Sequence, residues 1–165
     1  MPDDLIPPET AALVGTQAGE PAEGDVLGKE TVRFAQAVDD LNPLYFDDEY
    51  ARAAGYDRAV APPMFFNVAL TGSRPLSETR EDGLFRSGQR GLRLNKVNRT
   101  MFGGEEVEFV APIYPGDRLK GETVLESIDQ KDGRSGSFVV TVRKTTIRNQ
   151  DGEIVAISRS SGITR

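Results

Sequence analysis

There is no histidine and no cysteine among the 165 residues. Histidine is the one side chain that titrates near neutral pH unaided and is the commonest general base. Its absence removes the Ser-His-Asp triad, the Cys-His pair and the His-ligated zinc from this chain. Without cysteine there is neither a disulfide nor a thiolate metal site, and the redox compartment cannot be read. Neither a metal nor a cofactor is expected. Positive charge is in deficit: 20 Lys and Arg against 26 Asp and Glu leave a net charge of -6. Such a field repels nucleic acid and anionic membranes, so neither is expected as a partner. No apolar run approaches the length needed to span a bilayer, and residues 1–15 lack the basic segment and apolar core of a signal peptide. Cytoplasm is the expected location.

What is present suits a single domain spanning 1–165, since a chain of this length can bury a sizeable core. Pro7-Pro8-Glu9-Thr10 before Ala11-Ala12-Leu13-Val14 and Gly15 predicts a short helix with a proline start and a glycine stop. Residues 16–25 read as a polar connector. Val32, Ala35 and Val38, widened by Phe34 and Leu41, predict a helix over 29–39 that ends at Asn42-Pro43. Asp47-Asp48-Glu49 open a third short helix that stops at Gly55. A fourth, from Pro62-Pro63 through Leu70, is apolar on nearly every side and is expected to be buried. Residues 72–91 are polar and glycine-punctuated, a long excursion with the composition of a functional loop.

From about residue 92 the period changes to two: Leu92 and Leu94, Val107 and Phe109, Leu119 to Leu125, Phe138 to Val142, Ile154 and Ala156. Asn149-Gln150-Asp151-Gly152 between the last two segments signals a hairpin. Helices followed by antiparallel strands give an α+β class, with the sheet wrapped around the central helix.

Three motifs admit both an architectural and a chemical meaning. Asp40 and Asn42 before Pro43 are good turn formers, Ala61-Pro62-Pro63 is a good helix start, and Tyr114-Pro115-Gly116-Asp117 is a tight turn. Their order, with Arg33-Phe34-Ala35-Gln36-Ala37-Val38, Ala51-Arg52-Ala53-Ala54-Gly55-Tyr56 and Phe109-Val110-Ala111-Pro112-Ile113, resembles the MaoC-like dehydratases. These are the (R)-specific enoyl-CoA hydratase group of hotdog folds, and the resemblance is to the N-terminal, non-catalytic half of two-domain members.

The resemblance implies a hotdog with a long central helix, pairing of two hotdogs into one sheet, and an acyl-thioester substrate carried on coenzyme A or acyl carrier protein. In catalytic members the loop carries Asp, then Asn-Pro, then His five residues after the Asp. Asp40 and Asn42 match, but Tyr45 holds the His position, and a phenol with a pKa near 10 is no base at neutral pH. Catalytic members also hold the thioester oxygen with a backbone N–H at a His-Gly helix start. Here that start is Pro62-Pro63, and proline has no N–H. No catalytic residue is therefore expected in this chain. It is expected to be the acyl-tail half of a heteromeric hydratase or 3-hydroxyacyl dehydratase, inactive alone, with a catalytic MaoC-like partner subunit or itself as dimer partner. Pro62, Pro63, Met64, Phe65 and Val68 are the expected substrate-binding residues, with 72–91 as a lid. A homomeric hydratase with an atypical site, a hotdog thioesterase using a carboxylate such as Asp40 or Glu49, and a non-enzymatic acyl-binding module are the alternatives.

Overall fold

The computed structural model describes residues 4–72, 76–79, 81, 92–134 and 136–165. Short helices α1 (Pro8–Ala11), α2 (Gly28–Ala37), α3 (Asp48–Ala53) and α4 (Phe65–Thr71) come first, with strand β1 (Ala22–Asp25) among them. Strands β2 (Thr100–Phe109), β3 (Arg118–Gly133), β4 (Gly136–Arg148) and β5 (Ile154–Thr164) follow. All five strands form one antiparallel sheet in the order β1-β3-β4-β5-β2. Register shifts at Leu125/Ser127 in β3 and Phe102/Gly104 in β2 curl it, because a bulge bends its strand and sharpens the twist. The curl encloses α4, whose Phe65 and Phe66 are buried against Leu119, Ile147, Val155 and Ala156. Burial of each phenylalanine is worth about 1.5–3 kcal/mol. Phe34 of α2 meets Phe65 edge-on, with ring centroids 5.7 Å apart. No helix among the described residues is long and apolar enough to cross a membrane.

The connector expected over 16–25 is in part a strand. β1 pairs with β3, and ahead of it Gly15 N–H donates to Leu125 O and Ala18 N–H to Thr123 O, both at 2.8 Å. It escapes a periodicity reading because it is a short edge strand of Ala, Glu, Gly and Asp with only one face covered. Gly24 lies where α4 crosses: a Cβ there would overlap the Ala69 carbonyl oxygen and stand 2.6 Å from the carbonyl carbon. Leu92 and Leu94 lie outside the strands, and β2 begins at Thr100. In β4 the fully buried side chains are Val139 and Ile147, with Thr141 close behind, one position out of phase with Phe138, Val140 and Val142.

α4 is shorter than expected and starts late. Phe65 N–H donates to Pro62 O at 3.1 Å and Met64 has φ 67° and ψ -2°. Pro62–Phe65 is thus a turn of type II pattern, with Pro63 where that turn favours proline and Met64 where it favours glycine. Nor is α4 apolar all round in its surroundings: Asn67 is exposed and Val68 is 41% exposed. Apart from 76–79 and 81, the expected lid beyond Gly72 up to residue 91 lies outside the described residues.

Candidate functional site

Successive backbone caps deliver the loop from Asp40 to Tyr45. α2 ends with Asp39 at φ 56°, Asp39 N–H donating to Gln36 O and Asp40 N–H to Ala35 O. That is the Schellman arrangement, with aspartate in the left-handed place usually taken by glycine. The reversal leaves Val38 and Leu41, expected in the buried stripe, 55% and 60% exposed. Asn42 Oδ1 then accepts the Leu44 N–H at 3.0 Å, and Pro43–Tyr45 forms one 3₁₀ turn. Asp47 Oδ1 accepts the N–H groups of Glu49 and Tyr50 at the head of α3. α3 stops in a second Schellman arrangement: Gly55 has φ 92°, Gly55 N–H donates to Arg52 O, and Tyr56 N–H to Ala51 O. Tyr56 is thereby turned back toward Tyr45.

At the base position the Tyr45 ring is buried and its hydroxyl donates to Asp40 Oδ2 at 3.2 Å. Burial pushes its pKa above the ordinary phenol value, and the Asp40 carboxylate adds to this. A phenolate is therefore still less accessible near neutrality than for a free tyrosine. Asp40 is exposed and spends part of its accepting capacity on this phenol.

The loop forms one wall of a slot of about 380 Å³. Opposite stand Pro62 and Pro63, then Phe109 to Ile113, which connect β2 toward β3. The walls are tied by two backbone bonds: Ala61 N–H to Ile113 O at 2.7 Å and Val60 N–H to Leu44 O at 3.0 Å. The Tyr114–Asp117 turn anchors the lower end. Its buried Asp117 accepts the Tyr114 N–H at 2.8 Å, and Gly116 takes φ 100°.

The expected binding residues therefore separate. Pro62 and Pro63 line the slot, Met64 packs half-buried against the main core, and Phe65 is wholly inside it. Val68 instead faces a second groove, beside Glu23, Asp25, Glu30 and Arg33. Tyr56 and the Phe109–Ile113 wall, noted in the sequence only as motifs, belong to the slot although they were not among the expected binding residues. The cue for Tyr56 was its place directly after the helix-stopping Gly55.

The acidic character of the slot's surroundings is marked. Asp40, bonded to Tyr45, and Asp57, whose N–H meets the Tyr114 hydroxyl, are exposed, as are their near neighbours in the chain Asp39, Asp47, Asp48 and Glu49. Of the nearby cations, Arg52 pairs with Asp48 at 3.4 Å and Arg58 lies 4.9 Å over the Tyr114 ring.

Comparisons with known proteins agree with this architecture. The chain is 35% identical over 140 residues to a protein of Saccharopolyspora erythraea named UPF0336 protein, covering 84% of this chain and 81% of that one. It is 31% identical over 155 residues to a probable enoyl-CoA hydratase alpha subunit of Thermomonospora curvata, covering 90% of this chain but 48% of that longer protein. Among solved structures, a chain of the HadBC (3R-hydroxyacyl-ACP dehydratase) complex of Mycobacterium tuberculosis superposes with a TM-score of 0.65 at 24% identity, covering 92% of this chain and 96% of that one. That likeness is one of fold, a hotdog. A family model for the FAS1-like dehydratase domain region matches residues 12–158, and the chain belongs to that dehydratase family.

Proposed function

We propose that this chain is the non-catalytic subunit of a heteromeric (R)-specific enoyl-thioester hydratase or 3-hydroxyacyl dehydratase, and that it holds the acyl part of the substrate while a partner supplies the base. The observation that carries this is the Tyr45 hydroxyl donating to Asp40 where a histidine would activate water. A buried phenol of raised pKa takes no proton from water near neutrality. Pro62-Pro63 compounds the loss, since neither can donate to a thioester oxygen. One missing oxyanion donor alone lowers a rate about 10²- to 10³-fold.

Charge supports the division of labour. Coenzyme A and acyl carrier protein are both anionic, and the exposed carboxylates between Asp39 and Asp57 repel either. The apolar slot beside them suits the uncharged chain. The carrier's phosphates accordingly belong on the partner's surface. A thioesterase reading, with Asp40 as water activator, is less well supported, because that carboxylate is exposed and already bonded to Tyr45.

The test is an assay of the purified chain with crotonyl- and octenoyl-thioesters, alone and co-expressed with a hotdog partner carrying an intact Asp-x-Asn-Pro-x-His loop. No turnover is expected alone, and turnover with the partner that survives Asp40→Asn in this chain. Steady hydration by the chain alone, in material free of host hydratase and abolished by Asp40→Ala, would sink the proposal.

A further inference from the structure

Three phenols meet behind the loop, since Tyr45, Tyr56 and Tyr114 all pack in the smaller core cluster with Ala35 and Val60. Two of their hydroxyls are engaged: Tyr45 donates to Asp40, and Tyr114 Oη accepts the Asp57 N–H at 3.3 Å. Tyr56 is half-buried and lines the slot, and its hydroxyl has no hydrogen-bond partner among the described residues. It lies close enough to Tyr45 to raise that neighbour's pKa slightly.

The rest of the wall has few hydrogens to offer. The N–H groups of Val60, Ala61, Val110 and Ala111 all donate to protein carbonyls, those of Leu44, Ile113 and Val155. Pro62, Pro63 and Pro112 have none. A chain entering the slot therefore meets carbon on most sides and one uncommitted hydroxyl. If that chain were pure hydrocarbon, it would displace water from Tyr56 Oη and leave the phenol unsatisfied. An oxygen at the right depth would restore the bond.

We infer that Tyr56 Oη is a ligand-binding group, and that the slot takes an acyl chain bearing an oxygen acceptor, either the thioester carbonyl or a keto or hydroxyl oxygen farther along the chain. This rests on the acyl-binding reading of the slot. The hydroxyl can donate to either kind of oxygen, and can also accept from a ligand hydroxyl. The main chain that carries it is fixed by the cap, through the Tyr56 N–H on Ala51 O at 3.0 Å. Tyr56 thus carries the one side-chain hydroxyl of the wall without a protein partner among the described residues.

Calorimetric titration of the purified chain with three pantetheine probes tests this. They are the decanoyl thioester, the S-decyl thioether with no oxygen on its chain, and the S-(6-oxodecyl) thioether; the pantetheine part is common to all. At least one oxygen-bearing probe should bind about fivefold tighter than the S-decyl thioether, the worth of one neutral hydrogen bond. Tyr56→Phe should erase that preference, because the oxygen-bearing probe loses its bond and the S-decyl chain no longer strands a hydroxyl and binds at least as tightly as before. A preference for the thioester alone assigns Tyr56 to the carbonyl; a preference for the 6-oxo probe alone assigns it to the tail. Equal binding of all three, or a preference that survives Tyr56→Phe, overturns the inference and leaves the acyl slot standing. Failure of all three to bind overturns the slot reading with it. Since the hydroxyl holds no described protein partner, Tyr56→Phe should melt within about 2 °C of wild type; a larger fall gives the hydroxyl a structural role and refutes the inference.

Discussion

Substituting Gly24 by alanine sets one methyl group against the backbone of α4. The new Cβ would overlap the Ala69 carbonyl oxygen and lie 2.6 Å from its carbon. Neither atom is the free end of a side chain, and both belong to a hydrogen-bonded helix. Relief therefore requires α4 or β1 to move as a unit. Overpacking costs about 1–3 kcal/mol in general, and a backbone collision calls for the upper end, about 3 kcal/mol. For a chain of this length each kcal/mol lowers Tm by about 2–4 °C, so Gly24→Ala should melt about 6–12 °C below wild type. Gly121→Ala is the matched control. Its Cβ meets Leu70 Cδ1 at 2.9 Å and Thr145 Cγ2 at 3.4 Å, side-chain atoms that can rotate away. Its cost should be about 1 kcal/mol or less. Neither glycine has a positive φ, so backbone preference does not separate the two. Differential scanning calorimetry of both variants decides the matter. If Gly24→Ala melts within about 2 °C of wild type, or no lower than Gly121→Ala, the close approach does not set the height of α4 over the sheet. Because α4 carries Pro62 and Pro63 at its head, acyl binding should weaken with Gly24→Ala and hold with Gly121→Ala.

Tyr45→Phe should cost about 0.5–1.5 kcal/mol near neutral pH for the lost bond to Asp40, measured by urea titration. The same variant should change the alkaline response. Folding raises the Tyr45 pKa, so the unfolded chain releases that proton first as pH climbs past about 10. Stability conferred by the protonated phenol is thus whole below that pH and lost above it, and Tyr45→Phe should flatten the decline; an unchanged alkaline slope would contradict this. Ala111→Leu fills part of the slot and should weaken long acyl probes about tenfold or more at roughly 0.8 kcal/mol per excluded CH₂. Val68→Phe, on the separate groove, should change acyl affinity little; the reverse order would move the tail to that groove. Finally, β2 is an edge strand with Met101 46% and Phe102 74% exposed, so light scattering at micromolar concentration should find a dimer or larger, and a stable monomer would count against pairing through that edge.

Legibility in the sequence follows local chemistry. Pro7-Pro8, Asn42-Pro43, Gly55 and the Asn149–Gly152 hairpin were readable because each acts on its own neighbours. In the hairpin, Asn149 N–H donates to Glu153 O and Gly152 takes φ 81°. β1 was not readable, because a covered strand signals by alternating apolar residues and this edge needs only a gap at Gly24. The phase of β4 was hidden in Phe138-Val139-Val140-Thr141-Val142, where both faces carry apolar side chains and a period of two cannot choose between them. The turn at Met64 defied its residue type, since glycine is the usual occupant of that conformation. At the site, Asp40, Asn42, Tyr45, Pro62 and Pro63 could be named by resemblance. That Val68 would part company with the prolines required knowing which flank of α4 the sheet covers.

The bond between Asn42 Oδ1 and the Leu44 N–H does its work whether or not water is ever activated beside it. So does the acceptance of the Tyr45 phenol by Asp40, and no buried side-chain polar atom among the described residues is left without a partner. Folding alone is therefore reason enough to keep Asp-x-Asn-Pro at this turn. Asp40 and Asn42 thus hold the shape of the turn, and the chemistry of the loop turns on the residue at position 45.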